Sequence, residues 1–288
     1  MSLSSLCEVL GIRRQAYYQK RRREQEKANR EEKILTFVRM VRRKHPRMGT
    51  RKILVKIRPM LEQEGIRIGR DRLFDLLRAW DLLVVRRRRR HKTTTGGQTR
   101  IPNLLVGREV DRPDQVWVAD ITYLEIGSGR YRYLFLVMDL YSRKVVGWCL
   151  AETLEWRHAL RALRMAVRQA RRGVVGLIHH SDHGSQYRSR GYVEYLERMG
   201  IRSSMGKVGN AYDNAYAERV LGTLKTEYGL GHVFSGEAEV WKAVREAVEL
   251  YNTDRPHQAL GYATPVEVYR GEVEVSGVSV QMVRGKNA

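Results

Sequence analysis

The sequence predicts an α/β protein, a mixed sheet with flanking helices, preceded by an all-α region. Three observations predict it. Residues 32–83 carry apolar side chains at helical spacing, residues 116–150 hold three extended apolar runs, and from residue 154 onward helical and short extended segments alternate. At 288 residues and 42% hydrophobic content the chain is long enough for about two domains with a proper core.

In order along the chain, residues 1–30 read as short N-terminal helices. The first is followed by a turn at Gly11, with Leu6, Val9, Leu10 and Ile12 inward, and Lys20 to Lys33 is dense in both charge signs, as in a solvated linker helix. Residues 31–85 read as a helix-turn-helix domain. Ile34, Phe37, Val38 and Val41 make one apolar face, and Ile53, Leu54, Ile57 and Leu61 a second, in a helix that Pro59 should kink or shorten and Gly65 should end. A third helix, Arg70 to Trp80, sets Leu73, Leu76, Leu77 and Trp80 inward and leaves Arg70, Arg72 and Arg78 free for a DNA groove. Residues 86–108 read as a basic linker. It opens on five arginines, Arg86, Arg87, Arg88, Arg89 and Arg90, placed to lie along phosphates.

The remainder reads as a catalytic core over 109–230 and a C-terminal helical segment and tail over 231–288. Strands are expected at Val116 to Leu124, Tyr131 to Asp139 and Lys144 to Leu150, joined by short turns. A helix bearing Leu154, Leu160, Leu163, Val167 and Ala170 follows. Then come a buried strand VVGLI at 174–178, a helix from Tyr192 to Met199, a brief strand at Ile201 to Ser203 and a helix from Asn214 to Glu227. Antiparallel strands followed by alternating helix and strand match the ribonuclease H-like architecture.

Charge points to the partner. The formal net charge is +22, and residues 1–100 hold 29 Lys and Arg against 10 Asp and Glu, whereas 101–288 hold 25 against 22. So strong a local excess is the footprint of a polyanion, most often nucleic acid. Two cysteines without a CxxC pair give neither a disulfide framework nor a zinc finger. No apolar stretch approaches the roughly 20 residues of a membrane span, and the N-terminus lacks signal-peptide order, so a cytoplasmic, nucleoid-associated bacterial protein is expected. A phosphate-binding GxxxxGK[ST] loop and a GxSxG elbow are both missing from the sequence.

Three carboxylates carry the chemistry. Asp120 interrupts the apolar run VWVADITYL, Asp182 follows another in LIHHSDHGSQY, and Glu218 lies on the helix of NAYDNAYAERVLGTLKTE. Ionised carboxylates beside buried elements need a cation, and three around one opening suit Mg²⁺ or Mn²⁺, two of which serve phosphoryl transfer. Each also has a structural reading: Asp120 paired with a buried Arg, Asp182 capping the turn before Gly184, Glu218 paired with Lys225. Asp139, Asp213 and Glu227 compete for the third place, and spacing alone does not reject them. His179, His180 and His183 raise a zinc reading that lacks a second His or Cys pair.

The segments VWVADITYL, YLFLVMDLYSRKVVGW, HHSDHGSQY, GNAYDNAYAERVLGTLKTE and YNTDRPHQALGYATPVEVY occur in this order. Together they resemble the DDE transposases of the insertion sequence three family, which are related to retroviral integrases. The resemblance spans roughly residues 30–270. It implies that Asp120, Asp182 and Glu218 bind the metal ions, and so selects Glu218 for the third place. It also implies cleavage at the ends of a mobile element to free a 3′ hydroxyl, attack by that hydroxyl on a phosphodiester, and passage through a circular intermediate. Expected partners are transposon-end and target DNA, further copies of the chain in a homo-oligomer on DNA, and an upstream-frame product joined by frameshifting. Lys225 and Arg255 are expected DNA contacts, Arg255 within a YNxxRPH block whose role is DNA contact or core positioning. Two other readings stand beside this one: a DNA-binding regulator or partner subunit inactive without the upstream-frame product, and a ribonuclease H-type nuclease acting on hybrids.

Overall fold

The structure, a computed structural model, describes residue 11 and residues 13–84, 101–127, 129–206 and 214–279. The chain divides into two compact units, residues 1–85 and 86–288. The five arginines at 86–90 and Asp213 lie outside the described residues, as does the expected helix before Gly11.

The first unit is three helices, α1 (Arg14–Lys44), α2 (Thr50–Gln63) and α3 (Arg70–Ala79). The separate short helices expected around Lys20 are one continuous helix. No Gly or Pro interrupts Arg14 to Lys44, and the exposed half carries i,i+4 pairs Lys20–Glu24, Arg22–Glu26 and Lys27–Glu31. Its second half buries Ile34, Leu35, Val38 and Val41 against Ile53, Ile57 and Leu61 of α2 and Leu73, Leu76 and Leu77 of α3. Pro59 does not end α2, which runs on to Gln63. Gly65, at φ +65°, closes it, with the Ile66 N–H returning to the Leu61 carbonyl at 2.8 Å. Trp80 departs from expectation: α3 stops at Ala79, and the indole is 54% exposed instead of joining the core.

In the second unit the described strands and helices follow in the order β1 (Glu109–Val110), β2 (Val116–Glu125), β3 (Tyr131–Asp139), β4 (Val145–Ala151), α4 (Trp156–Gln169), β5 (Ile178–Ser181), α5 (Ser185–Arg188), α6 (Arg190–Arg198), β6 (Arg202–Met205), α7 (Ala215–Glu227), α8 (Glu237–Thr253), α9 (Pro265–Arg270) and β7 (Val278–Ser279). Five strands form one sheet in the order β4-β3-β2-β5-β6. β2 with β3 and β3 with β4 pair antiparallel, whereas β5 runs parallel to β2 and β6 parallel to β5. This is the mixed, ribonuclease H-like sheet, with β2 at its centre.

Both faces are covered, which is why β3 is apolar without alternation. On one face Val116, Val118, Leu134, Leu136 and Met138 pack with Val220, Leu221 and Leu224 of α7 and Val240 and Val244 of α8. On the other, Trp117, Ala119, Phe135 and Val137 pack with Leu160, Leu163 and Ala166 of α4 and Tyr192 and Leu196 of α6. Leu154, expected on α4, precedes it and is 45% exposed.

The strand expected at VVGLI lies further on. Gly176 takes φ +80° and Val175 is 88% exposed, so this segment is a turn, and the strand itself is Ile178-His179-His180-Ser181. A second, two-stranded pairing of β1 with β7 has no counterpart in the sequence expectations.

The close approach of α4 to the sheet depends on Gly147 in β4. A Cβ there would fall 2.1 Å from the Ala162 carbonyl oxygen and 2.9 Å from the Ala166 nitrogen, both backbone atoms that cannot rotate away. Gly222 in α7 is the opposite case: nothing lies within 4 Å of a Cβ, so it is not the close-packing position its size suggests. Gly147→Ala is therefore expected to lower unfolding free energy by about 2 kcal/mol or more through overpacking, and Gly222→Ala to leave it unchanged or raise it by about 0.5–1 kcal/mol. Urea titration of the two variants checks the contrast, and equal midpoints would refute it.

Candidate active site

Parallel pairing of β2 with β5 runs from Val116↔Ile178 to Ala119↔Ser181 and stops there. The next residues on the two strands are Asp120 and Asp182. β2 continues to Glu125 paired only with β3, so its β5-facing edge opens at the point where the two carboxylates emerge. Asp120 is partly buried and accepts the Ile121 N–H at 2.8 Å; Asp182 is exposed and accepts the Gly184 N–H at 3.0 Å. Asp182 thus caps the turn before Gly184, as its structural reading had it, and a second oxygen remains for other work.

Glu218 comes from α7, in its first turn and exposed. Asn214 sets this helix against the strand. It precedes α7 yet makes no side-chain cap; its amide instead donates to the Ala119 carbonyl at 3.2 Å, while its own backbone carbonyl accepts the Glu218 N–H at 3.1 Å. The Asn214 Oδ1 is buried without a hydrogen-bond partner. Asn214 was overlooked in the sequence because an Asn before a helix reads as an ordinary cap.

The electrostatics link the three acids. Burial first, and then the neighbouring Asp182, push the Asp120 carboxyl up to about 8; Glu218 adds to the push, and the Ile121 N–H and Lys225 oppose it. Such mutual repulsion asks for a cation, and carboxylate oxygens are the hard donors that suit Mg²⁺ or Mn²⁺. Among the described residues, no three His, Cys, Asp or Glu side chains stand together as a finished metal cluster. The acids share an electrostatic neighbourhood and would need to draw closer to share an ion.

Of the competing residues, Asp139 and Glu227 are committed elsewhere. Asp139 is fully buried and accepts the Asp114 N–H, the Ser142 N–H and the Ser142 hydroxyl at 2.8, 2.8 and 2.6 Å. Glu227 accepts two hydrogen bonds from Arg255, at 2.8 and 2.9 Å. The histidines are also engaged. His179 and His180 point to opposite faces of β5, the first bonded to the Tyr192 hydroxyl at 3.0 Å and the second to Ser204 Oγ at 2.9 Å, while His183 meets the Gly206 carbonyl. Burial pushes His179 down to about 3, so it is a neutral core residue. Tyr187 packs edge-on against Tyr192 beneath the two aspartates, its hydroxyl pushed far up by burial first and then by Tyr192, Asp120 and Asp182.

The expected DNA contacts fall into two groups. Lys225 lies beside the site, its ammonium 4.9 Å from the centre of the exposed Tyr123 ring, which packs edge-on against Tyr131. In the first unit Arg70, Arg72 and Arg78 are exposed but paired with Asp71, Glu31 and Asp75, pairs that solvent screens and a phosphate could displace. Arg255 narrows the sequence expectation. It is 5% exposed, and besides Glu227 its guanidinium meets His257 Nε2 at 2.8 Å, so it joins the segment after α8 to the end of α7, which is the core-positioning role of its two expected ones.

Comparison with known proteins follows the same lines. Residues 110–211 and 199–265 match two integrase core domain families. A Shigella sonnei protein, the insertion element IS600 uncharacterized 31 kDa protein, is 34% identical over 266 residues, covering 90% of this chain and 96% of the relative. The transposase for insertion sequence element IS629, also from Shigella sonnei, is 33% identical over 271 residues, covering 91% and 89%. Among solved structures, the HTLV-2 integrase catalytic core domain in complex with magnesium aligns with a TM-score of 0.43 at 15% identity, over 55% of this chain and 97% of that one.

Two outcomes test the site. Arg255→Ala leaves Glu227 half-enclosed without its cation and should cost about 3 kcal/mol in urea unfolding; a loss below about 1 kcal/mol would mean the pair does not anchor α7. For Asp120, an unfolded carboxyl ionises near its ordinary value of about 4, while the folded one keeps its proton to about 8. The unfolded chain therefore holds fewer protons across that interval, and metal-free stability falls as pH rises through it. Asp120→Asn should raise the metal-free melting temperature at pH 8, by about 2–4 °C for each kcal/mol relieved, with the gain vanishing near pH 4. A gain independent of pH would refute the cause given.

Proposed function

The chain belongs to the insertion-sequence transposases with an integrase core, and we propose that it cuts DNA at the ends of its element and joins the freed 3′ hydroxyl to target DNA. The observation that carries this is the emergence of Asp120 and Asp182 together where β2 and β5 part, with Glu218 held on the helix tied to Ala119. In the cutting step a water oxygen attacks phosphorus and the bond to the 3′ oxygen breaks, leaving a 3′ hydroxyl on the element end and a 5′ phosphate on the flank. In the joining step that 3′ oxygen attacks a target phosphodiester and displaces its 3′ oxygen, so one phosphodiester forms as one breaks.

Asp120, Asp182 and Glu218 would hold the divalent ions, Mg²⁺ or Mn²⁺ and two in number. Bound there, the ions supply activation of the attacking oxygen and stabilisation of the leaving one. The chain does the rest. Asn214 fixes the helix of Glu218 against β2, the Gly184 N–H fixes the Asp182 carboxylate, and Lys225 faces the phosphates that reach the site. Arg70, Arg72 and Arg78, with Arg86 to Arg90, give the front of the chain its hold on the element end through charge. A homo-oligomer on DNA and an upstream-frame product complete the proposed assembly. Among the described residues no helix is long and apolar enough to cross a membrane.

Asp182→Asn and Glu218→Gln are each expected to lower cutting and joining of end-bearing duplex in Mg²⁺ by more than about 100-fold, with end binding held within about twofold. A gel assay with labelled ends reads both. Normal cutting by Asp182→Asn would overturn the carboxylate assignment, and end binding by the wild type without nicking would favour the regulator reading.

A further inference from the structure

A second polar feature lies at the other end of the sheet. A cleft of about 480 Å³ is lined mainly by Lys144, Gln169, Arg171, Tyr269, Arg270 and Glu272. Trp117 pairs with Asp139, and the Lys144 carbonyl accepts the Asp139 N–H at 2.8 Å, so Lys144, just before β4, lies level with the start of β2. Asp120 is three residues further along, about 10 Å at strand rise. Tyr269 belongs to the α4 side of the sheet, whereas α7 and Glu218 lie on the opposite side. No single phosphate reaches both places.

Of the charged side chains that line the cleft, three are cations, Lys144, Arg171 and Arg270, and one is a carboxylate, Glu272. The Lys144 ammonium donates to Gln169 Oε1 at 2.8 Å and lies 4.2 Å from the centre of the Tyr269 ring. Arg171 Nη1 donates to the Arg270 carbonyl at 3.1 Å. Both acceptors are neutral. Only Glu272 brings a carboxylate to the rim, 3.6 Å from Arg270 Nη1, with the two side chains 53% and 59% exposed. Asp114 and Asp139 stand behind the wall, and Asp114 is already taken up by the Tyr269 hydroxyl, the Trp117 indole N–H and the Arg171 N–H. Burial pushes Lys144 below its usual range; Asp114 and Asp139 pull it back, and Arg270 and Arg171 push it further down.

Three cations around one opening suit a tetrahedral oxyanion, and guanidinium forks suit phosphate in particular. The one aromatic face in the wall is occupied by Lys144, which leaves nothing for a base to stack on. Recognition here is of the phosphate group and not of the nucleotide sequence. We propose that the cleft of Lys144, Arg171 and Arg270 is a phosphate-binding site separate from the three carboxylates, filled by a phosphate of the DNA backbone. The source of the phosphate rests on the transposase reading; the site itself does not.

The test uses the full chain, wild type and the exposed variants Arg270→Gln and Arg270→Glu. Melting is followed with sodium pyrophosphate against sodium chloride at equal ionic strength, and duplex DNA affinity is measured across salt concentration. Pyrophosphate should raise the wild-type melting temperature, with half or more of that shift lost in Arg270→Glu. The slope of log affinity on log salt should fall by about 1 in Arg270→Gln. An equal pyrophosphate shift in wild type and Arg270→Glu overturns the site. A lost shift with an unchanged salt slope upholds the site and overturns the DNA source in favour of a soluble phosphate compound. Failure to cut element ends would sink the transposase chemistry while leaving the pyrophosphate result standing.

Discussion

The repulsion between Asp120 and Asp182 is the interaction around which the catalytic unit is arranged. Parallel pairing of β2 with β5 delivers the two carboxylates to the same place, and the burial of Asp120 makes their proximity expensive. Nothing in the surrounding core relieves this. The Ile121 N–H and Lys225 oppose the effect without cancelling it, since the Asp120 carboxyl still ends near 8. A sheet that holds two acids in this way stores a demand for a cation, and the fold around it supplies the stiffness to maintain that demand. β2 is flanked by β3 over its whole length and covered on both faces, so Asp120 has no backbone freedom to withdraw.

Glu218 is tied to the pair through its helix. At the start of α7, Asn214 gives up the ordinary cap to reach the Ala119 carbonyl on the strand that carries Asp120. At the end of α7, Glu227 is gripped by Arg255, whose guanidinium also meets His257. Between these anchors, Ala217, Val220, Leu221 and Leu224 bury one stripe, and Glu218 stands on the exposed side. The helix is tied at both ends, and Glu218 projects from it between the two anchors. The YNTDRPH segment therefore serves the carboxylates from a distance: Asn252 bonds both backbone groups of Val145, and Arg255 secures α7.

How much of this was legible in the sequence differs by residue. Asp120 was legible because an acid within an apolar strand is conspicuous, and the β2, β3 and β4 strands because both faces are buried and turn residues separate them. The position of β5 was not. Its real residues, Ile178 to Ser181, include two histidines and a serine, and their burial depends on the Tyr192 hydroxyl and Ser204 Oγ, partners on other elements that no local pattern reveals. VVGLI is the more apolar run, but Gly176 in the left-handed region turns the chain there. Arg255 misled for a related reason. An arginine in a polar loop reads as a nucleic-acid contact, and the carboxylate that claims it lies 28 residues away. For the third carboxylate place spacing left Glu218 among several candidates and the family resemblance selects it; in the structure Asp139 and Glu227 are spent in hydrogen bonds, a distinction invisible to spacing.

A cluster of acids is a poor place to bring a polyanion, and this sets a division of labour along the chain. Residues 101–288 hold 25 basic side chains against 22 acidic ones, so the catalytic part has little net attraction for DNA, while residues 1–100 hold 29 against 10. In the proposed function, affinity drawn from the front of the chain would let the surroundings of Asp120 remain acidic until divalent ions and DNA arrive. Ions held by these carboxylates would offset their charge and so lower the cost of bringing a phosphate near them. A catalytic unit made strongly basic would hold DNA more tightly and, by supplying fixed cations in place of mobile ones, would weaken the very demand for metal that the Asp120–Asp182 pair creates.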